Sequence, residues 1–164
     1  MPARVSPHKP APVAQEADRL ALARLNFADL PRVEVSDLEL ARPGKSFTIE
    51  TVRALRSAHP DWELFLVMGL DTLLDLPTWY QAEALAEETR FLACLRPPLE
   101  ASASLDLLPP LFRERSQLIK LPQIEIEASL IRERVAAEAP YAAFLHPAVY
   151  NHIEKQHLYG ARSQ

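Results

Sequence analysis

Glycine and cysteine are scarce in this sequence of 164 residues. The three glycines, Gly44, Gly69 and Gly160, lie far apart, so the chain contains neither a GxGxxG loop nor a Walker A loop. Any phosphate must therefore be bound by helix N-termini and basic side chains. Cys94 is the only cysteine, which excludes an intrachain disulfide and a metal site with several cysteine ligands, and favours the reducing cytoplasm.

Long apolar runs and an excess of positive charge are also absent. The longest apolar run, residues 64–70, is far shorter than the roughly 20 residues that cross a bilayer. A net charge of −4 gives no general attraction for polyanions. We therefore expect neither a nucleic acid nor a membrane as partner, and a small ligand fits better.

With 48% hydrophobic and 24% charged residues, residues 1–164 are expected to form a single globular domain.

The hydrophobic periodicity predicts alternating strands and helices. Residues 1–12 are expected to form an irregular loop, and residues 107–115 a short helix or loop. The predicted helices cover residues 16–28, 46 or 48 to 57, 78–88, 129–137 and 148–157, with helical turns after residue 69. The predicted strands cover residues 33–40 (half exposed), 63–69 (covered on both faces), 91–95 and 117–121. This order is typical of a parallel α/β sheet, in which ligands bind beyond the carboxyl ends of the strands.

Polar and aromatic residues follow these strand ends, but each of them alone has an ordinary structural explanation. Asp71 can cap a helix, Trp79 can be a core aromatic, and Ser129 with Arg132 can form a capped helix with a solvated charge. The four segments are Ser46-Phe47-Thr48, Gly69-Leu70-Asp71, Pro77-Thr78-Trp79-Tyr80 and Ala128-Ser129-Leu130-Ile131-Arg132.

In this order and spacing, the segments resemble those of bacterial nicotinate-nucleotide adenylyltransferases of the nucleotidyltransferase superfamily, along essentially the whole chain. Residues 2–9 look like the loop after the family's second strand, which usually ends in PPHK. Residues 35–40 with 46–51 are similar to the SDxEL…SYTxxTL region, and residues 69–71 with 76–80 to the GxD…W element. Residues 126–132 resemble the ISSTxIR signature, and Leu158-Tyr159 the usual close of the domain.

The resemblance implies a doubly wound, Rossmann-like nucleotidyltransferase fold and a reaction of NAD biosynthesis. In that reaction nicotinate mononucleotide attacks the α-phosphorus of ATP, with Mg²⁺ assisting, to give deamido-NAD and pyrophosphate. The resemblance further implies that Phe47, Thr48 and Trp79 bind the nicotinate mononucleotide. The residues implied for the nucleotide are His8, Lys9, Gly69, Asp71, Ser129 and Arg132.

One family motif, GGTFDPxHxGH, is absent from these residues. Its two histidines are expected to hold the transferring phosphates, and none of the five histidines here stands in an HxGH setting. No catalytic residue and no protein metal ligand is therefore assigned. The resemblance begins at the end of the family's second strand, so we expect a domain that is truncated at its N-terminus, through a misassigned start or as a fragment.

Two further departures from the family pattern concern affinity. Glu127 stands where the family commonly has serine and is expected to repel ATP phosphates, while Phe47 replaces the more usual tyrosine. Two alternatives stay open: an inactive fragment or remnant of the enzyme, and a superfamily adenylyltransferase for another phosphorylated substrate. Thr48 with Trp79 argues against the latter, because a pantetheine-type substrate has no pyridine ring to stack.

Overall fold

The computed structural model describes residues 1–7, 12–95, 105–122 and 126–161. Its helices and strands alternate as the periodicity predicts only between residues 65 and 119, and in the other described residues all regular elements are helical. They are α1 (Glu16–Asn26), α2 (Leu38–Ala41), α3 (Thr48–Ala58), β1 (Phe65–Gly69), α4 (Leu70–Asp75), α5 (Ala82–Glu88), β2 (Arg90–Cys94), α6 (Pro110–Glu114), β3 (Ser116–Ile119), α7 (Ala128–Ala136) and α8 (Pro147–Lys155). Single 3₁₀ turns lie at Leu76–Thr78, Leu105–Leu107, Ala142–Phe144 and Leu158–Gly160.

The three strands form a parallel sheet in the order β1-β2-β3. The predicted parallel α/β fold is thereby confirmed. The central strand β2 buries Phe91 and Ala93 completely, and its neighbours pair with it in register from Phe65↔Arg90 and Phe91↔Ser116 onward. All three strands therefore end at one edge of the sheet, where ligands are expected.

The chain separates into two compact units. The sheet unit comprises residues 47–124 and packs its helices around one apolar cluster, in which Leu73, Leu76 and Leu85 are fully buried. The second unit joins Met1–Ser46 to Glu125–Gln164, and its cluster is centred on Val135 and Ile153. We call it the terminal unit. Across the described ranges, no helix is long and apolar enough to span a membrane.

The predicted strand over residues 33–40 is wrong. Residues 33–37 have no regular structure, and α2 occupies Leu38–Ala41. The Ser36 hydroxyl accepts a hydrogen bond from the amide of Leu38 at 3.2 Å, a local side-chain contact that competes with strand pairing. The apolar alternation also changes phase within this segment, so that it never offers one continuous face to a core.

Two other expectations need correction. The strand over residues 63–69 is present as β1, but its predicted coverage on both faces is wrong, since Val67 is 65% exposed. Leu66 and Met68 pack on the core, and Phe65 and Val67 point to the opposite face. The helix predicted over residues 78–88 begins only at Ala82, because Gln81 has a left-handed φ of 51°.

Candidate functional site

Thr48 lies at the start of a helix, as predicted. It is the first residue of α3, and Phe47 takes the extended conformation that precedes the first turn. The Phe47 carbonyl accepts the Glu50 amide at 3.1 Å, which closes that turn, whereas the first amides of a helix have no acceptor within it. The half-buried Thr48 thus adds a hydroxyl to a group of backbone donors that suits a carboxylate.

Asp71 is exposed at the carboxyl edge of the sheet. Gly69 ends β1 and at once becomes the N-cap of α4. Leu70 and Leu73 of this helix are buried in the core, so that Asp71 in the first turn faces solvent. The carboxylate is placed to accept hydrogen bonds from hydroxyl groups of a bound molecule.

The Trp79 segment follows the 3₁₀ turn that ends at Thr78. The Trp79 amide donates to the Leu76 carbonyl at 2.9 Å, and its half-buried indole packs against the core of the sheet unit. The next residue, Tyr80, meets the Phe47 ring with centroids 4.6 Å apart and planes inclined by 42°. This ring contact brings the segments that carry Thr48 and Trp79 together. Nothing in the sequence around Tyr80 singles it out for that role.

Ser129 and Arg132 belong to the terminal unit, in α7. The Ser129 hydroxyl donates to Glu127 Oε2 at 3.1 Å, so the carboxylate of the N-cap residue lies beside the helix start. Burial raises the pKa of the Tyr159 phenol above its ordinary value, and the nearby guanidinium of the exposed Arg132 opposes this rise only in part. The α7 N-terminus therefore combines a helix dipole and a guanidinium with an opposing carboxylate.

His8 and Lys9 lie outside the described residues. Of the other histidines, three make contacts that account for them structurally. His59 stacks on Trp62 at 3.7 Å, while His146 Nδ1 accepts the Ala148 amide at the start of α8, and His152 Nε2 lies 3.3 Å from Asp18. These contacts offer no substitute for an HxGH pair.

No group of three or more His, Cys, Asp or Glu side chains that could hold a metal occurs in residues 1–7, 12–95, 105–122 and 126–161. These residues do not fit a resident metal centre. Nucleotidyltransferases that act on ATP generally use a divalent metal. Such an ion would be bound chiefly by the phosphates of ATP, since hard divalent cations prefer oxygen ligands.

Comparison with known proteins gives consistent matches over almost the whole chain. Residues 1–134 match the cytidylyltransferase-like family. A protein of Symbiobacterium thermophilum is 39% identical over 97% of this chain and 78% of its own length, and one of Geobacillus thermodenitrificans is 34% identical over 99% and 72%. Both carry the name "Probable nicotinate-nucleotide adenylyltransferase".

A solved structure also matches the fold. Plasmodium falciparum nicotinic acid mononucleotide adenylyltransferase complexed with NaAD superposes with a TM-score of 0.76 over 98% of this chain and 81% of that one, at 19% identity. At this identity the likeness concerns the fold, while the bacterial relatives carry the family. The chain belongs to the nicotinate-nucleotide adenylyltransferase family of cytidylyltransferase-like proteins.

Proposed function

We propose that the protein transfers the adenylyl group of ATP to nicotinate mononucleotide, giving deamido-NAD and pyrophosphate in NAD biosynthesis. The observation that carries the proposal is the 39% identity over 97% of the chain to a relative with that name. Two features of the sheet unit support the proposal: the helix start at Thr48 offers donors for a carboxylate, and the exposed Asp71 offers an acceptor for hydroxyl groups.

Nicotinate mononucleotide is assigned to the Thr48 and Trp79 segments. Its carboxylate would accept hydrogen bonds from the Thr48 hydroxyl and the first amides of α3. Its pyridine ring would stack on the indole of Trp79. Phe47 contributes through its contact with Tyr80, which holds the two segments side by side. A neutral amide in place of the carboxylate would lose the charge-assisted part of these hydrogen bonds.

ATP is assigned to six residues. They supply an acceptor for its hydroxyl groups, a glycine that lets the ligand approach the backbone closely, a helix N-terminus and positive charge. Asp71 would accept hydrogen bonds from ribose hydroxyls, next to Gly69, which has no side chain. Ser129 and Arg132 would present a helix N-terminus and a guanidinium to the phosphates. His8 and Lys9 would add positive charge from the N-terminal loop.

Adenylyl transfer requires alignment of the attacking phosphate with the α-phosphorus and neutralisation of charge, rather than a covalent nucleophile. Mg²⁺ would enter with ATP and neutralise its phosphates. We further propose that both compact units are parts of one nucleotidyltransferase domain, residues 1–164. The single cysteine cannot form an intrachain disulfide. This is compatible with a location in the reducing cytoplasm.

The test is titration calorimetry of the chain with nicotinate mononucleotide and, separately, with nicotinamide mononucleotide. We expect the nicotinate form to bind more tightly and Thr48→Val to remove that preference, since a hydrogen bond to a charged group contributes about 1.5–3 kcal/mol. Thr72→Val, the same change in α4, is the matched control and should bind as the parent does. Equal affinity for both mononucleotides in the parent would contradict the assignment of Thr48.

A further inference from the structure

The backbone of residues 3–5 is held in place by a side chain and an amide from a distant part of the terminal unit. The Arg4 amide donates to the Ser46 hydroxyl at 2.9 Å, and the Ser46 amide donates to the Val5 carbonyl, also at 2.9 Å. Ser46 is buried, with 9% of its surface exposed. Ser46 thus serves this segment as acceptor and as donor.

Arg19 of α1 holds the same segment from another direction. Its Nη1 donates to the Ala3 carbonyl and its Nη2 to the Arg4 carbonyl at 3.3 Å. One planar guanidinium can bridge two successive carbonyls because its donors are fixed in a fork, which an ammonium group lacks. The side chain of Arg4 in turn lies 3.2 Å from Glu16. We call the contacts of Arg19 and Ser46 with residues 3–5 the Arg19–Ser46 clamp.

One atom of the clamp lowers the stability of the fold. Arg19 Nε is buried and has no hydrogen-bond partner within the described part of the chain. An unpaired buried donor opposes folding, so it offsets part of the stability that the two Nη hydrogen bonds supply. Arg19→Met removes the unpaired Nε together with the two hydrogen bonds. We therefore expect it to release residues 3–5 while it lowers the free energy of unfolding only slightly.

One end of the clamp lies next to a proposed binding segment, since Ser46 immediately precedes Phe47 and Thr48. We propose that Arg19 and Ser46 are positioning residues for nicotinate mononucleotide, because they fix the backbone from which the Thr48 segment starts. The proposal rests on the proposed function, because it takes Thr48 as a group that binds this substrate.

The test measures the affinity of the chain for nicotinate mononucleotide by titration calorimetry, well below the thermal midpoint. We expect Arg19→Met and Ser46→Ala each to weaken binding about two- to tenfold, roughly the effect of losing one net hydrogen bond. Arg19→Lys should recover part of the loss, since an ammonium group can reach one of the two carbonyls. Hydrogen exchange of the amides of residues 46–48 should be faster in Arg19→Met than in the parent.

Arg134→Met is the matched control. Arg134 also donates to a backbone carbonyl, that of Pro140 at 2.6 Å, and lies over the Phe144 ring, but it makes no contact with residues 3–5 among the hydrogen bonds described. It should retain the parent affinity even if its thermal midpoint falls. Parent-like binding by both clamp variants, or equal weakening in Arg134→Met, would overturn the inference and leave the proposed function standing. A parent that binds no nicotinate mononucleotide would refute both.

Discussion

Replacement of Glu127 by serine should strengthen ATP binding. Glu127 is the N-cap residue of α7, and its carboxylate makes no hydrogen bond to the backbone of the first turn. Instead it accepts the Ser129 hydroxyl at 3.1 Å, so the negative charge lies at the end of the helix that carries about half a positive charge. Glu127→Ser removes this charge, releases the Ser129 hydroxyl and provides a preferred N-cap side chain.

The size of the effect follows from the exposure of Glu127. Two unit charges 4 Å apart repel by about 4 kcal/mol at an effective dielectric constant near 20, but by only about 1 kcal/mol in bulk water. Because Glu127 is exposed, the lower figure applies, and it corresponds to roughly fivefold tighter binding of ATP. The Debye length falls from about 30 Å at 0.01 M salt to about 8 Å at 0.15 M. The gain should therefore be larger at low ionic strength.

Titration calorimetry with ATP at the two salt concentrations measures both effects. Glu133→Gln removes one negative charge from an exposed position later in the same helix, and it should give a smaller gain than Glu127→Ser. If Glu127→Ser leaves the affinity unchanged at both salt concentrations, the carboxylate does not face the phosphates. If Glu133→Gln gives an equal gain, only the net charge of the chain matters.

Three further predictions follow from the site and the core. Trp79→Ala should weaken binding of nicotinate mononucleotide by roughly 1–3 kcal/mol, the range for base–aromatic stacking, and leave ATP binding nearly unchanged in calorimetry; equal losses for both ligands would indicate a packing role. The proposed adenylyl transfer is expected to need the two histidines of an HxGH pair, which these 164 residues do not contain. On their own they should therefore bind nicotinate mononucleotide but form no deamido-NAD detectable by chromatography, whereas a chain extended by a segment with HxGH should form it. Turnover by the 164 residues alone would require an unidentified catalytic group. Burial, and then the hydrogen bond to Glu154, raises the pKa of Tyr141 above its ordinary value of 10.0, so the folded chain keeps a proton that the unfolded chain loses. The free energy of unfolding should then decline as the pH rises above 10.0, and urea titrations should show a smaller decline in Tyr141→Phe.

The elements that the sequence predicts well are those with both a clear period and a boundary signal. Helix α8 has Pro147 in its first turn and α3 begins at a hydroxyl residue, and both lie where predicted. The alternation of residues 33–40 predicts a strand that is absent, whereas Ser36 and Asp37, which favour the start of a helix, directly precede α2. The exposure of Val67 could not be predicted, because an apolar run does not reveal which faces of a strand are covered.

The features of the candidate site also differ in how well the sequence predicts them. Local sequence predicts the helix start at Thr48 and the turn from Gly69 to Asp71, since each depends on neighbouring residues. Contacts between distant segments are not predictable in this manner. The Phe47–Tyr80 ring contact joins the residue before α3 to the turn before α5, 33 positions along the chain. Arg19 finds its partners among backbone carbonyls 15 and 16 residues away. Backbone carbonyls carry no sequence signal.

The terminal unit is discontinuous in sequence, which has a consequence for the order of events during synthesis. Each strand of the sheet unit pairs with the next strand along the chain, so this unit needs only moderately local contacts. In the terminal unit, α1 contacts α8, and the paired residues Asp18 and His152 are 134 positions apart. Helix α1 can therefore pack only after α8 has been made. Since domains generally fold as they emerge from the ribosome, and contacts distant in sequence form slowly, α1 should remain without its partner until α8 has been synthesised. Its apolar face is available to chaperones during that interval.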